Sequence, residues 1–304
     1  MEKSTINIRE KFHAQYTLLI EMESMMVTAL MKSKTEIRYD FSVLNIDSEG
    51  IECRLVQLDI FIKEANSNLV HEVAELTGAF NRMFNELHLK LDHNGRVIKV
   101  LNIELILSKW KQTKILMQQA ANKSDDLKDL IALSDSMFES PEKIQHAIQA
   151  NEFLQTYFGH IYGEKIPSSK SDPNRTNFLN TSYLPFKVSL TIDQQTLNDQ
   201  NIKVLTSSVP YVTLDMSYKK NAYKSFEDKL DLKNLDPVIS ENSIHIINQI
   251  SGMLIHSEII KKEIVHPEKL FTKMNFTMSV EGNSNEAKEE SVQEKKSETR
   301  FKFF

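Results

Sequence analysis

"LHLKLDHNGRVIKVLNIE", Leu87 to Glu104, is the stretch that decides how this chain is read. Leu87, Leu89 and Leu91 alternate with His88 and Lys90, the period of two that gives a strand one buried face. Asp92-His93-Asn94-Gly95 supplies turn chemistry, and an apolar run from Val97 follows. The whole reads as a β-hairpin.

The same alternation recurs on both sides of it. Ala14, Tyr16, Leu18, Ile20 and Met22 lie on one face of a strand, and Ile37, Tyr39, Phe41 and Val43 on one face of the next. After a turn at Asp47-Ser48-Glu49-Gly50, Ile51, Cys53 and Leu55 continue the pattern before parity switches to Leu58, Ile60 and Ile62. A parity switch within one strand predicts a β-bulge, which bends a sheet. Later in the chain Leu184 to Ile192, Val212 to Tyr218, the stretches either side of Ser251-Gly252, and Met274 to Val280 repeat the strand signal.

Helical periodicity interrupts the strands twice. Leu69, Val73, Leu76, Phe80, Met83 and Phe84 fall three or four apart, predicting an amphipathic helix over 68–85. A helical insert is predicted from about 104 to 158. Within it, Ser124 is an expected N-cap, and one helix is expected to begin at Ser140-Pro141 and end at Gly159. Residues 159–178, rich in Gly, Pro, Ser and Asn, read as a connecting loop. Beyond residue 281 the chain is polar and charged almost to its end, so 282–304 is expected to be a disordered tail.

The fold class that follows is α+β. A strongly curved antiparallel sheet, an open or half barrel, packs against several helices. Residues 1–281 form one domain in two β-rich halves, about 1–158 and 179–281.

Long antiparallel strands, a helical interruption, the hairpin "DHNGRVIKV" and the late meander "SGMLIHSEIIKK…FTKMNFTMSVE" together resemble certain uncharacterised bacterial β-rich proteins. Those share the pattern of the curved half-barrel of lipoprotein carriers. The likeness covers about residues 13–105 and 180–281 and implies a concave sheet that carries lipid or another small hydrophobic ligand. Two features depart from it. Such families are usually exported, whereas no export signal or lipidated cysteine is evident near this start, and the helical insert is long. The resemblance maps no functional residue onto a position here.

Composition narrows the function. The chain has 304 residues, 40% hydrophobic and 26% charged, with a net charge of -5. Mixed charges without a basic block exclude a phosphate-binding face of the kind nucleic acid requires. Cys53, the one cysteine, alternates with Ile51 and Leu55 and is expected to be a buried structural thiol. No signal peptide and no transmembrane run is legible, so a cytoplasmic location is expected, or a periplasmic one if the sequence is a trimmed mature form.

No catalytic or metal motif emerges. His71-Glu72 lacks the spacing of a zinc helix, and His88, His93, His245, His256 and His266 read as exposed strand or turn residues. Glu21 and Glu23 read as a solvated strand face. The seven glycines never cluster into a phosphate loop, and no nucleophile elbow exists. The sequons at Asn174, Asn180 and Asn275 are read as chance.

The expectation is therefore a protein that is not an enzyme, with no cofactor and no metal. A cytoplasmic chaperone or adaptor would hold an apolar segment of a partner protein on its curved sheet. Met22, Met26, Met274 and Met278 would supply an adaptable apolar surface, and Phe301, Phe303 and Phe304 a docking peptide. A carrier of lipid or another small hydrophobic ligand is the alternative.

Overall fold

The computed structural model describes residues 4–66, 82–121, 125–193 and 200–282. The expected helix 68–85, the Ser124 cap and the Phe-ended tail lie wholly or largely outside them.

The strands are β1 (Ser4–Thr5), β2 (Phe12–Met26), β3 (Ala29–Asp47), β4 (Gly50–Ala65), β5 (Glu86–Leu91), β6 (Val97–Val100) and β7 (Lys165–Ile166). They continue with β8 (Ser168–Thr176), β9 (Tyr183–Ile192), β10 (Asn201–Pro210), β11 (Val238–Asn248), β12 (Leu254–His266) and β13 (Leu270–Val280). The helices are α1 (Ile103–Ala121), α2 (Asp125–Phe138), α3 (Pro141–Gln149), α4 (Glu152–Phe158) and α5 (Met216–Ala222). Eleven strands form one sheet in the order β6-β5-β4-β3-β2-β13-β12-β11-β10-β9-β8, and β1 pairs separately with β7. Every pairing between these strands is antiparallel. The sheet does not close.

The hairpin stands where the alternation puts it. The Asp92 carboxylate accepts the backbone N–H groups of Asn94 and Arg96, both at 2.8 Å. Gly95 has a φ of +80°, and a Cβ there would lie 2.1 Å from the Phe158 ring, so this turn needs glycine for both conformation and space. The bulge is also found. Arg38 faces Asp59 and Tyr39 faces Gln57, which leaves Leu58 as the extra residue at the parity switch.

Three expectations change. Residues 168–176 are an edge strand, not a loop. Their sequence, SSKSDPNRT, lacks apolar alternation because an edge strand under an open rim buries little. Pro173 is tolerated there because it falls in the register shift between Asp172 and Arg175 and, among the described residues, no strand pairs outside β8. Residues 212–218 do not form a strand. Asp215 accepts the Tyr218 N–H at 2.9 Å and starts α5 instead. The single helix expected from Ser140 to Gly159 is two, because Asn151 caps a second start by accepting the N–H groups of Phe153 and Leu154 at 3.0 and 3.4 Å.

Curvature follows from what the side chains reach. Arg175 on β8 bonds Ser208 on β10 at 3.0 Å and pairs with Glu241 on β11. On a flat sheet those three strand spacings would span roughly 14 Å, beyond such a pair. The edge therefore curls over the inner face. At the other edge Asn94, in the β5–β6 turn, donates to the Tyr162 carbonyl at 3.2 Å. Lys170 of β8 pairs with nearby Glu164. Both edges thus reach the same short connection, residues 162–164.

Two plugs fill the inner face. Helix α4 is buried nearly all round, through Phe153, Leu154, Thr156, Tyr157 and Phe158. Its rings pack on Tyr16, Tyr39 and Phe41, with centroids 5.0–5.6 Å apart. The Leu254 N–H donates to Tyr157 Oη at 3.1 Å, while Tyr16 donates to the Leu254 carbonyl at 2.9 Å. The second plug is Tyr223, Leu230, Leu232 and Leu235 over Val265 and Leu270. The outer face is a lattice of ion pairs, including Glu21 with Lys34 at 2.8 Å and Glu23 with Lys32 at 2.9 Å, as the solvated-face reading of those acids requires.

Candidate functional site

Between the plugs, bounded by α4 on one side and β8 on the other, lies a cavity of about 460 Å³. Its floor comes from β10 to β13. Inward positions are normally apolar in a half-buried sheet, but here Thr206, Glu241, Ser243, His245, Ser257 and Lys261 occupy them. On β11 the buried parity is Ile239, Glu241, Ser243, His245 and Ile247, whereas Ile244 and Ile246 on the opposite face are only half-buried. That inversion is the sequence signal for the site.

The first polar group is ionic. Glu241 is 5% exposed and is shared by two cations. Arg175 pairs with it directly, and Lys261 Nζ stands 3.6 Å from Oε2. Burial opposes the charge on Glu241, but Arg175 and Lys261 outweigh it and hold the carboxyl below its ordinary range. The Arg175 guanidinium also lies 4.7 Å above the Phe186 ring. Lys261 lies 5.1 Å from the centroid of Phe276, which forms the apolar end of the floor.

The second is a chain of neutral groups. Ser257 Oγ donates to the Thr156 carbonyl at 3.3 Å. Its single proton is then spent, so at 3.0 Å it accepts from His245 Nδ1–H. The other imidazole nitrogen, Nε2, must accept, and Ser243 Oγ donates to it at 2.8 Å. Ser243 in turn accepts from Thr206. With Ser257 donating to the Thr156 carbonyl, the chain assigns the proton of His245 to Nδ1. Burial drives this imidazole's pKa down to about 3, and His160 at the cavity mouth is lowered by burial too.

A Ser243–His245 contact has the geometry of nucleophile and base, but an efficient general base needs a pKa near the operating pH. Buried at about 3, with a hydroxyl instead of a carboxylate on Nδ1, this imidazole is poorly suited to take a proton at neutral pH. A second opening, of about 510 Å³ on the far side of His160 between the hairpin turn and α3, holds no comparable buried ion pair.

The expected site residues divide. Met278 is fully buried in the main core, and Met26 packs against the second plug. Met22 and Met274 are direct cross-strand partners, half-buried between the plugs. Phe301, Phe303 and Phe304 lie outside the described residues, as does His71. Of the histidines expected to be exposed, His245 is instead 1% exposed, because its strand turns that parity inward. His88 pairs with Glu52 at 2.7 Å and His256 bonds Ser279 at 2.8 Å. Sequence reasoning did not single out Arg175, Glu241, Ser243 or Lys261. Cys53 is buried as expected, and burial pushes its thiol pKa up. Among the described residues no group of three or more His, Cys, Asp or Glu side chains is arranged to hold a metal ion. No helix among them is long and apolar enough to cross a membrane.

No family model and no curated protein matches the chain. Among solved structures it is similar to one described as "Lipid-protein interactions in lipovitellin", with a TM-score of 0.40 and 9% identity over 92% of this chain. The chain spans 26% of that protein's chain. A likeness at that level carries no argument about function.

Proposed function

We propose that this chain is a non-enzymatic binding protein whose inner-face cavity takes up a small ligand with an apolar body. The observation that carries the reading is the cavity between the two plugs. At about 460 Å³ it falls within the roughly 300–1,000 Å³ of small-molecule sites, and its mostly polar lining ends at the Phe276 ring. From there an apolar strip runs through Phe276 and its cross-strand partner Ile20 to the Met22–Met274 pair. The depressed His245 supports binding over catalysis.

Native mass spectrometry of protein purified without detergent, followed by organic extraction, tests this. A stoichiometric adduct that partitions into the organic phase supports it. Protein that stays at its apo mass after exposure to a lipid extract removes it.

A protein partner is the second reading, favoured by one observation. β5 pairs with only Ile51–Val56 of β4, and among the described residues no strand pairs with the outer edge of 57–65. Leu58, Ile60, Phe61 and Ile62 are 37–49% exposed there, the arrangement that accepts an added strand. An adaptor using this edge would lose its partner in a pull-down when Ile60 and Ile62 are changed to Lys.

A further inference from the structure

The cation pair at Glu241 is unequally satisfied. Arg175 has the carboxylate and Ser208, and it stacks on Phe186. Lys261 has no hydrogen bond among the described residues, and its nearest carboxylate oxygen, Glu241 Oε2, is 3.6 Å away and already engaged by Arg175. An ammonium offers three donors. The Lys261 side chain is 27% exposed and its charge faces the cavity, above the Phe276 ring.

On its other side, towards β13, the residues beside it are apolar. Met274 is the direct cross-strand partner of Lys261, Met22 is the partner of Met274, and Ile20 that of Phe276. A cationic head at one end of a half-buried apolar strip is the complement of a molecule with an acidic group and a hydrocarbon chain.

We propose that the ligand is a long-chain monocarboxylate. Its carboxylate completes the hydrogen bonding of Lys261, and its chain lies over Phe276 towards Met22. This rests on the small-ligand reading above. Asp172 and Glu152 line the same cavity, so the overall field does not draw an anion in. Recognition depends on contact at Lys261 and is only weakly sensitive to salt.

The test uses the full chain and the fluorescence of cis-parinaric acid, its methyl ester and the corresponding amine. The acid is expected to bind about tenfold tighter than the ester, the size of one charge-assisted hydrogen bond. Lys261→Met should abolish that preference by weakening binding of the acid about tenfold, and Lys261→Arg should keep most of it. Equal binding of acid and ester by the unmodified protein overturns the headgroup assignment and leaves the small-ligand reading standing. Tighter binding of the amine also overturns it and would point to Asp172 and Glu152 as the recognition groups. Binding of none of the three overturns the assignment together with that reading.

Discussion

Replacing Arg175 with methionine tests the ion pair that curls the sheet edge over the cavity. Methionine keeps the apolar stem against Phe186 but removes the charge, leaving Glu241, 5% exposed, with Lys261 at 3.6 Å. Removing one partner of a buried pair costs about 3–5 kcal/mol because the other charge stays buried. The remaining lysine puts this case near the lower figure, about 3 kcal/mol. For a chain of this size that is a fall in Tm of about 6 °C, with a lower urea midpoint and an unchanged m-value. The pH dependence has a definite sign. In the unmodified protein the Glu241 pKa is held below its ordinary value, so its contribution is present above the unfolded pKa and is lost as pH falls through the folded one. Without Arg175, burial dominates and the carboxyl titrates higher, so the variant's deficit should be greatest near neutral pH and shrink on acidification. Arg175→Met with Glu241→Met should recover most of the loss, since an apolar pair leaves no stranded charge. A single variant within 1 kcal/mol of the parent, or a double variant no better than the single, would refute the reasoning.

Other outcomes follow from neighbouring groups. Glu263, fully buried, accepts from Asn177 at 2.9 Å, from the Leu179 N–H at 3.0 Å and from Tyr223 at 3.0 Å. Glu263→Ala should cost about 3 kcal/mol in urea unfolding, because those donors lose their acceptor. Burial outweighs these bonds and raises the Glu263 pKa, so the parent's stability relative to Glu263→Gln should be highest in acid and fall as pH rises through the folded pKa. Phe153→Ala should lower stability by about 3–5 kcal/mol by emptying the aromatic cluster under α4. Tyr157→Phe should cost about 1–3 kcal/mol through the unpaired Leu254 N–H. Cys53, buried and with its thiol pKa raised, should react with a thiol reagent only at the rate of global unfolding.

Much of the frame was legible because its determinants are local. Alternation on β2 and β13 named the buried face, Asp92 and Gly95 fixed the hairpin turn, and the parity switch at Leu58 marked a bulge. Edge strand β8 was not legible, because its hydrogen bonds are made to β9 and its own residues carry no period. Val212 to Tyr218 misled because alternation over four apolar residues competes with a helix cap at Asp215, and the cap won. The site was hidden for a further reason. Lys261 meets Glu241 through the β11–β12 register, but Arg175 reaches Glu241 only because the sheet curls. On β11 the apolar residues Ile244 and Ile246 sit on the less buried face, so hydrophobic alternation points away from the cavity. Polar residues at inward parity, Glu241, Ser243 and His245, were the trace left in the sequence, since burying such groups costs stability unless each is partnered.

The account turns on the space between α4 and β8 being a ligand site. A crystal structure of the protein grown with a long-chain monocarboxylate tests that most directly. It should show density over Phe276 with an acidic group within hydrogen-bonding distance of Lys261 Nζ. An empty cavity with the acid bound along β4, or side chains collapsed into the space, would contradict it.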